Sequence, residues 1–173
     1  TGVLTHARAS SGAASMTIFK NGGSSVGEIR TSTTATQYLT SSDYRLKENV
    51  TSITDGIVRV KQLKPSRFNF IADSSTTLDG FLAHETQTVV PESVSATKDA
   101  TRDIGTIKDA DGNVIDTNVE ESVKEDGQTW EKTATENVYQ GIDQAKLVPL
   151  LTAALQEAIT KIETLETKVT ALE

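Results

Sequence analysis

The chain has 173 residues, enough for one domain of ordinary size or a small domain with extensions, but only 36% of them are hydrophobic and 5% aromatic. A net charge of -7 argues against nucleic acid or an anionic membrane surface as the main partner, since both need a basic face. The absence of cysteine excludes disulfides, thiol nucleophiles and thiolate metal sites.

So thin an apolar supply predicts that part of the stability comes from association between copies of the chain. No apolar run approaches the roughly 18 residues of a spanning helix. The start, Thr1-Gly2-Val3-Leu4-Thr5-His6, lacks the charged-then-apolar pattern of a signal peptide. Its lack of an initiator methionine reads as a piece cut from a longer protein.

Residues 1 to 41 are rich in Ser, Thr, Gly and Ala. Met16 to Lys20 and Val26 to Arg30 alternate in polarity around Asn21-Gly22-Gly23, which predicts a hairpin. Residues 1 to 15 read equally well as a flexible linker. The segment as a whole is β-forming but too polar to close a core of its own.

From Tyr44 to about Lys64, apolar residues recur at Leu46, Val50, Ile53, Ile57, Val60 and Leu63, which predicts one helix face interrupted by Gly56 and stopped by Pro65. Alternating Phe68-Asn69-Phe70 follows, then a turn-like stretch from Asp73 to Thr77, then Gly80 to Glu85 and Val89-Val90-Pro91. Residues 96 to 138 read as a β-meander with two hairpins, at Asp111-Gly112 and at Asp126-Gly127.

At the C-terminus, Val148, Leu151, Leu155, Ala158, Ile162, Leu165, Val169 and Leu172 alternate spacings of three and four. Charged residues such as Glu157, Lys161, Glu163, Glu166 and Lys168 fill the intervening positions. That pattern predicts a coiled coil rather than a helix docked on its own sheet. Pro149 falls in the first turn, or kinks a helix that begins near Ile142. β-branched Val148, Ile162 and Val169 with leucine at the alternate sites would favour dimers by the simple coiled-coil rule.

Few motifs suggest chemistry. Asp109 to Asn113, with Glu120 at the twelfth position, imitates a calcium loop, but Val114 stands where that turn needs glycine, so a hairpin is expected. Asn49-Val50-Thr51 is a glycosylation triplet of the kind that occurs by chance. His6 and His84 keep no metal-ligand spacing with carboxylates, so neither a metal site nor a cofactor is expected; His84 and Glu85 are expected to form a local polar pair.

Ser42 and Lys47 are the exception. Lysine can act as the base that activates a serine nucleophile when desolvation or a nearby cation, here Arg45, favours its neutral form. On one continuous helix five residues separate side-chain directions by roughly 140°. The pair can therefore meet only if Ser42 precedes the helix, or across a subunit boundary. Spacing alone favours the plainer reading, in which Ser42 or Asp43 is an N-cap and Lys47 is solvated.

Four ordered blocks shift that balance: Ser42-Asp43-Tyr44-Arg45-Leu46-Lys47-Glu48-Asn49; Leu63-Lys64-Pro65 with Phe68-Asn69-Phe70; Gly80 to Glu85 through Val90-Pro91-Glu92-Ser93-Val94; and Leu150-Leu151 to Ala154-Leu155-Gln156-Glu157. Over residues 42 to 173 they resemble the C-terminal intramolecular chaperone domain, peptidase S74 type, of phage tailspikes and tail fibres. The resemblance implies an α+β domain with β-hairpins and a long C-terminal coiled-coil helix, preceded by a β-rich fibre end and assembled as an intertwined homotrimer. It implies three regions: a fibre end at 1–41, a chaperone and self-cleavage domain at 42–140, and a coiled-coil helix at 141–173.

It further implies a chaperone that trimerises through the stripe from Val148 to Leu172, helps the upstream fibre region of the same chain to fold, and then cuts the Ser41-Ser42 bond. Ser42 would be the nucleophile, Lys47 the general base, and Asp43 and Arg45 supporting residues. The setting implied is a virion tail-fibre precursor assembled in the bacterial cytoplasm. A non-cleaving trimerisation module and a receptor-binding fibre tip are the competing readings.

Overall fold

A computed structural model of the chain describes residues 12–172. The fold is mixed α+β and divides into two compact units, Thr1–Ser52 and Ile53–Glu173.

The first unit carries strands β1 (Ala14–Asn21), β2 (Ser24–Thr31) and β3 (Thr36–Thr40) as one antiparallel sheet in the order β1-β2-β3. The predicted hairpin is there. Gly22 and Gly23 form its two-residue loop with φ of 54° and 84°, the positive values that suit the twist of the flanking strands. None of the described residues of this unit is buried, and Ile18, Phe19, Val26 and Leu39 are exposed. The pairing of β1 with β2 shifts register twice, between Ser15 and Thr17 and between Phe19 and Lys20, and the described residues of the sheet form no core of their own. The linker reading of residues 1 to 15 falls mostly outside the described residues, as does His6.

Between Tyr44 and Lys64 the structure departs from the expected single helix. A 3₁₀ turn spans Tyr44–Leu46, Lys47 is extended, Asn49 is left-handed with φ 54°, and helix α1 runs only over Gly56–Val60. Leu46 and Val50 are 72% and 79% exposed. The apolar spacing is real, but Asp43 caps the start of a short turn, after which Lys47 leaves the helical conformation. Gly56 begins the helix rather than interrupting it.

In the second unit β4 (Ser66–Phe70) and β5 (Asp73–Gly80) form a hairpin whose turn is Ile71-Ala72, not the expected Asp73–Thr77. The pairing register shifts between Asn69 and Phe70, and the Asn69 amide donates to the Ser74 carbonyl and to Thr77 Oγ1 at 3.1 Å each. That irregularity absorbs the turn-forming residues into the strand. Helix α2 (Ala83–Gln87) follows, then β6 (Val94–Ser95).

Strands β7 (Thr101–Lys108), β8 (Val114–Val119) and β9 (Thr129–Asn137) make an antiparallel sheet in the order β8-β7-β9. The Asp111-Gly112 hairpin is present. Asp109 closes it, its carboxylate accepting from the Asn113 backbone at 2.7 Å and its side-chain amide at 2.9 Å. The second expected hairpin is absent: β9 pairs with β7 instead of β8, so the segment is not a meander. A 3₁₀ turn at Glu121–Val123 carries the chain across, and Trp130 donates to the Val119 carbonyl at 3.0 Å.

Strand β10 (Gly141–Ile142) pairs with β6 and leads into helix α3 (Leu147–Thr170), which has 24 residues and Pro149 in its first turn. The core gathers Leu63, Val89, Val90, Leu147 and Leu150, with Val60 and Phe81 packed against it. Helix α3 lies on α1 through Ala153 and Ala154, and Glu157 one turn further on accepts from the Gly56 and Ile57 amides at 2.6 and 3.3 Å.

Candidate functional site

The site is built from the last residue of the sheet unit's pairing and the short turn that follows. Ser41, just past β3, donates its amide to the Val26 carbonyl and its hydroxyl to the Ser25 carbonyl, both at 3.1 Å. Ser42 comes next, outside any strand or helix. Asp43 then caps the 3₁₀ turn, its carboxylate accepting from the Arg45 amide at 2.9 Å.

The Arg45 side chain folds back on the same carboxylate through Nε and Nη2, at 2.9 and 2.8 Å. This two-pronged pair, followed by the backbone bond, holds the Asp43 carboxyl below the usual carboxylate range and raises the Arg45 guanidinium. The guanidinium is therefore engaged with Asp43 instead of standing as a free cation beside the lysine.

Lys47 closes the turn by donating its amide to the Tyr44 carbonyl at 3.1 Å, then takes φ -124° and ψ 140°. Its Nζ donates to Ser42 Oγ at 2.7 Å. Six consecutive residues thus bring serine and lysine together within one chain, both on an exposed surface. A continuous helix would have turned them apart, and the change from 3₁₀ to extended backbone is what lets the long lysine side chain return.

Residues 42–95 match the Peptidase_S74 family, chaperone of endosialidase. The match begins on Ser42 and takes in the Asp43 cap, Arg45, Lys47, helices α1 and α2 and the β4-β5 hairpin, and it is consistent with a C-terminal intramolecular chaperone domain. It ends at Ser95. The β7 to β9 sheet, and the fourth block of the resemblance in α3, lie beyond it. No curated protein matches the chain.

Outside the chaperone-of-endosialidase match, the C-terminal stripe takes a clear position. Val148, Leu151, Leu155, Ile162, Leu165, Val169 and Leu172 are exposed, and Ala158 is half-buried. The buried face of α3 consists of Leu147, Leu150, Ala153 and Ala154. Two apolar stripes therefore run on one helix, and only one is covered by the chain.

Three features were not legible in the sequence. The carbonyls of Ser25 and Val26 that hold Ser41 leave no side-chain signature. Glu157 looked like a solvated charge of the long helix, yet it caps α1. His84 and Glu85 do not form the expected pair; Glu85 instead accepts from Lys64 at 3.0 Å.

Proposed function

We propose that the protein is a self-cleaving assembly chaperone: it trimerises, assists the folding of the β-rich fibre that precedes it, and cuts the Ser41-Ser42 bond. The observation that carries this reading is the 2.7 Å contact between Lys47 Nζ and Ser42 Oγ, on the residue where the family match begins.

The chemistry follows from those atoms. Lys47, having given up a proton, accepts the Ser42 hydroxyl proton as Oγ attacks the carbonyl carbon of Ser41. The Ser41 to Ser42 C–N bond breaks as the C–O bond forms, and the Ser42 nitrogen takes a proton to become a free amine. Water then hydrolyses the ester, leaving a Ser41 carboxylate and restoring the Ser42 hydroxyl. The covalent chain supplies proximity, since nucleophile and carbonyl belong to adjacent residues.

Asp43 and Arg45 support the dyad by fixing the turn that returns Lys47. In the assembled trimer, packing between copies would strip water from the exposed lysine and favour the neutral amine that the reaction needs. Cleavage would then follow correct assembly. The exposed stripe from Val148 to Leu172 supports oligomerisation, and the coreless three-stranded sheet fits a fibre end whose core is shared between chains. The setting that goes with this reading is a phage tail fibre or tailspike precursor in the host cytoplasm, with the chaperone part released after the cut.

A trimerisation module that never cuts is the second reading, because the apolar stripe does not depend on Ser42. The test is the intact mass of freshly expressed wild type beside Ser42→Ala and Lys47→Ala. A product starting at Ser42 in the wild type, absent from both variants while they stay oligomeric, is expected; full-length chains in all three would leave only the trimerisation module.

A further inference from the structure

We propose that Ser41 is a positioning residue, which makes cleavage conditional on the pairing of β2 with β3. The inference rests on the self-cleavage reading and goes beyond it, since a serine and lysine that meet through a local turn carry no information about the fold upstream.

The last registered pair between β2 and β3 joins Gly27 to Thr40. Just beyond it, Ser41 is tied twice to the opposing strand, by its amide to the Val26 carbonyl and by its hydroxyl to the Ser25 carbonyl. These two bonds limit rotation about the backbone and side chain of the residue that supplies the carbonyl. On the other side of the bond, Lys47 ties the hydroxyl that attacks it. Carbonyl and nucleophile are thus tethered to different supports, the first to the sheet and the second to the turn. Attack requires a defined approach to the carbonyl carbon, and misplacement by about 1 Å can cost a hundredfold in rate. If the strands separate, the lysine keeps its hold on Ser42 but the carbonyl loses its fixed orientation.

Gly27 offers an independent handle. A Cβ there would stand 2.8 Å from the Leu39 carbonyl oxygen, so a side chain must push β3 away from β2 close to the scissile bond.

The experiment follows the full chain in cell-free translation, sampled over time and read by intact mass, with the oligomer measured for each variant. Ser41→Ala is expected to slow cleavage about fivefold, the scale of one exposed hydrogen bond. Ser41→Thr, which keeps the hydroxyl, should restore the rate, and Gly27→Val should slow it further, with oligomer mass unchanged throughout. Wild-type rates in Ser41→Ala and Gly27→Val would overturn the inference while leaving self-cleavage standing. Equal slowing in Ser41→Ala and Ser41→Thr would also overturn it, by showing that the hydroxyl is not the tether. An uncleaved wild type would remove it together with the reading on which it rests.

Discussion

Gly56 and Ala154 meet backbone to backbone: a Cβ on Gly56 would stand 2.5 Å from the Ala154 nitrogen and 2.8 Å from the Ala153 carbonyl carbon. Replacing glycine by alanine in a helix usually gains up to about 1 kcal/mol. Here the obstructing atoms are main chain and cannot rotate aside, so overpacking, worth about 1–3 kcal/mol, should win. Gly56→Ala is expected to lower the urea midpoint of the second unit. An unchanged or raised midpoint would show that α1 and α3 part without cost.

Glu157 holds the other end of that contact. Its carboxylate satisfies the Gly56 and Ile57 amides, donors that a helix start leaves without a partner in the helix. Glu157→Ala should cost about 1 kcal/mol, the usual loss for a helix cap, and Glu157→Gln less, since only the charge assistance goes. Faster hydrogen exchange at the Gly56 amide is the local readout. Because Gly56 and Glu157 share one contact, the double variant should lose less than the sum of the single losses.

The two faces of α3 should separate folding from assembly. Leu150 is 2% exposed, and Leu150→Ala is expected to destabilise the chain by about 2–5 kcal/mol through the cavity it leaves. Leu155 and Ile162 are 61% and 54% exposed. Changing both to asparagine should leave the chain folded, as surface changes usually fall within about 0.5 kcal/mol, but reduce the proposed oligomer in sedimentation. An oligomer that survives both changes would show that this stripe does not hold the copies together.

Acid should weaken the sheets of the second unit. Asp73, Asp79, Asp103, Asp109 and Glu131 are all held below the ordinary carboxylate range, chiefly by side-chain hydrogen bonds from Thr76, Arg67, Lys132, Asn113 and Lys108 respectively. A carboxylate whose folded value lies below its unfolded one stabilises the protein above the unfolded value, about 3.9 for Asp and 4.3 for Glu. That contribution disappears as pH falls through the lower folded values. Thermal unfolding should therefore be nearly flat from neutral pH down to about pH 5 and then shift to lower temperature below about pH 4. A midpoint at pH 3 equal to that at pH 6 would contradict these pairings.

What could be read from the chain depended on how local its cause was. Gly22-Gly23 and Asp111-Gly112 specify their turns through residues that accept positive φ, and both hairpins stand where expected. The long helix was legible from unbroken spacing. Its buried face was not, because Ala153 and Ala154 are chosen for a neighbour, α1, that lies almost a hundred residues earlier. The false helix from Tyr44 had good periodicity, but the Asp43 cap and the left-handed Asn49 decide the backbone first. Likewise, an Asp-Gly turn signal at 126 and 127 could not reveal that β7, rather than β8, would receive β9. Ser42 and Lys47 were legible as a candidate pair from the resemblance, and the geometry that joins them came only with the turn.

That turn has a consequence for timing. The contact between Ser42 and Lys47 closes a loop of a few residues, an event that takes on the order of 100 ns or less in a free chain. Sheet pairing and the association of copies are slower by orders of magnitude, the last depending on concentration. Bringing the two side chains together therefore cannot be the clock of the proposed reaction. Any delay before the cut must be set by slower events, and a cleavage rate that rises with protein concentration would single out the association of copies, while a constant rate would single out strand pairing or the bond-making step within one chain.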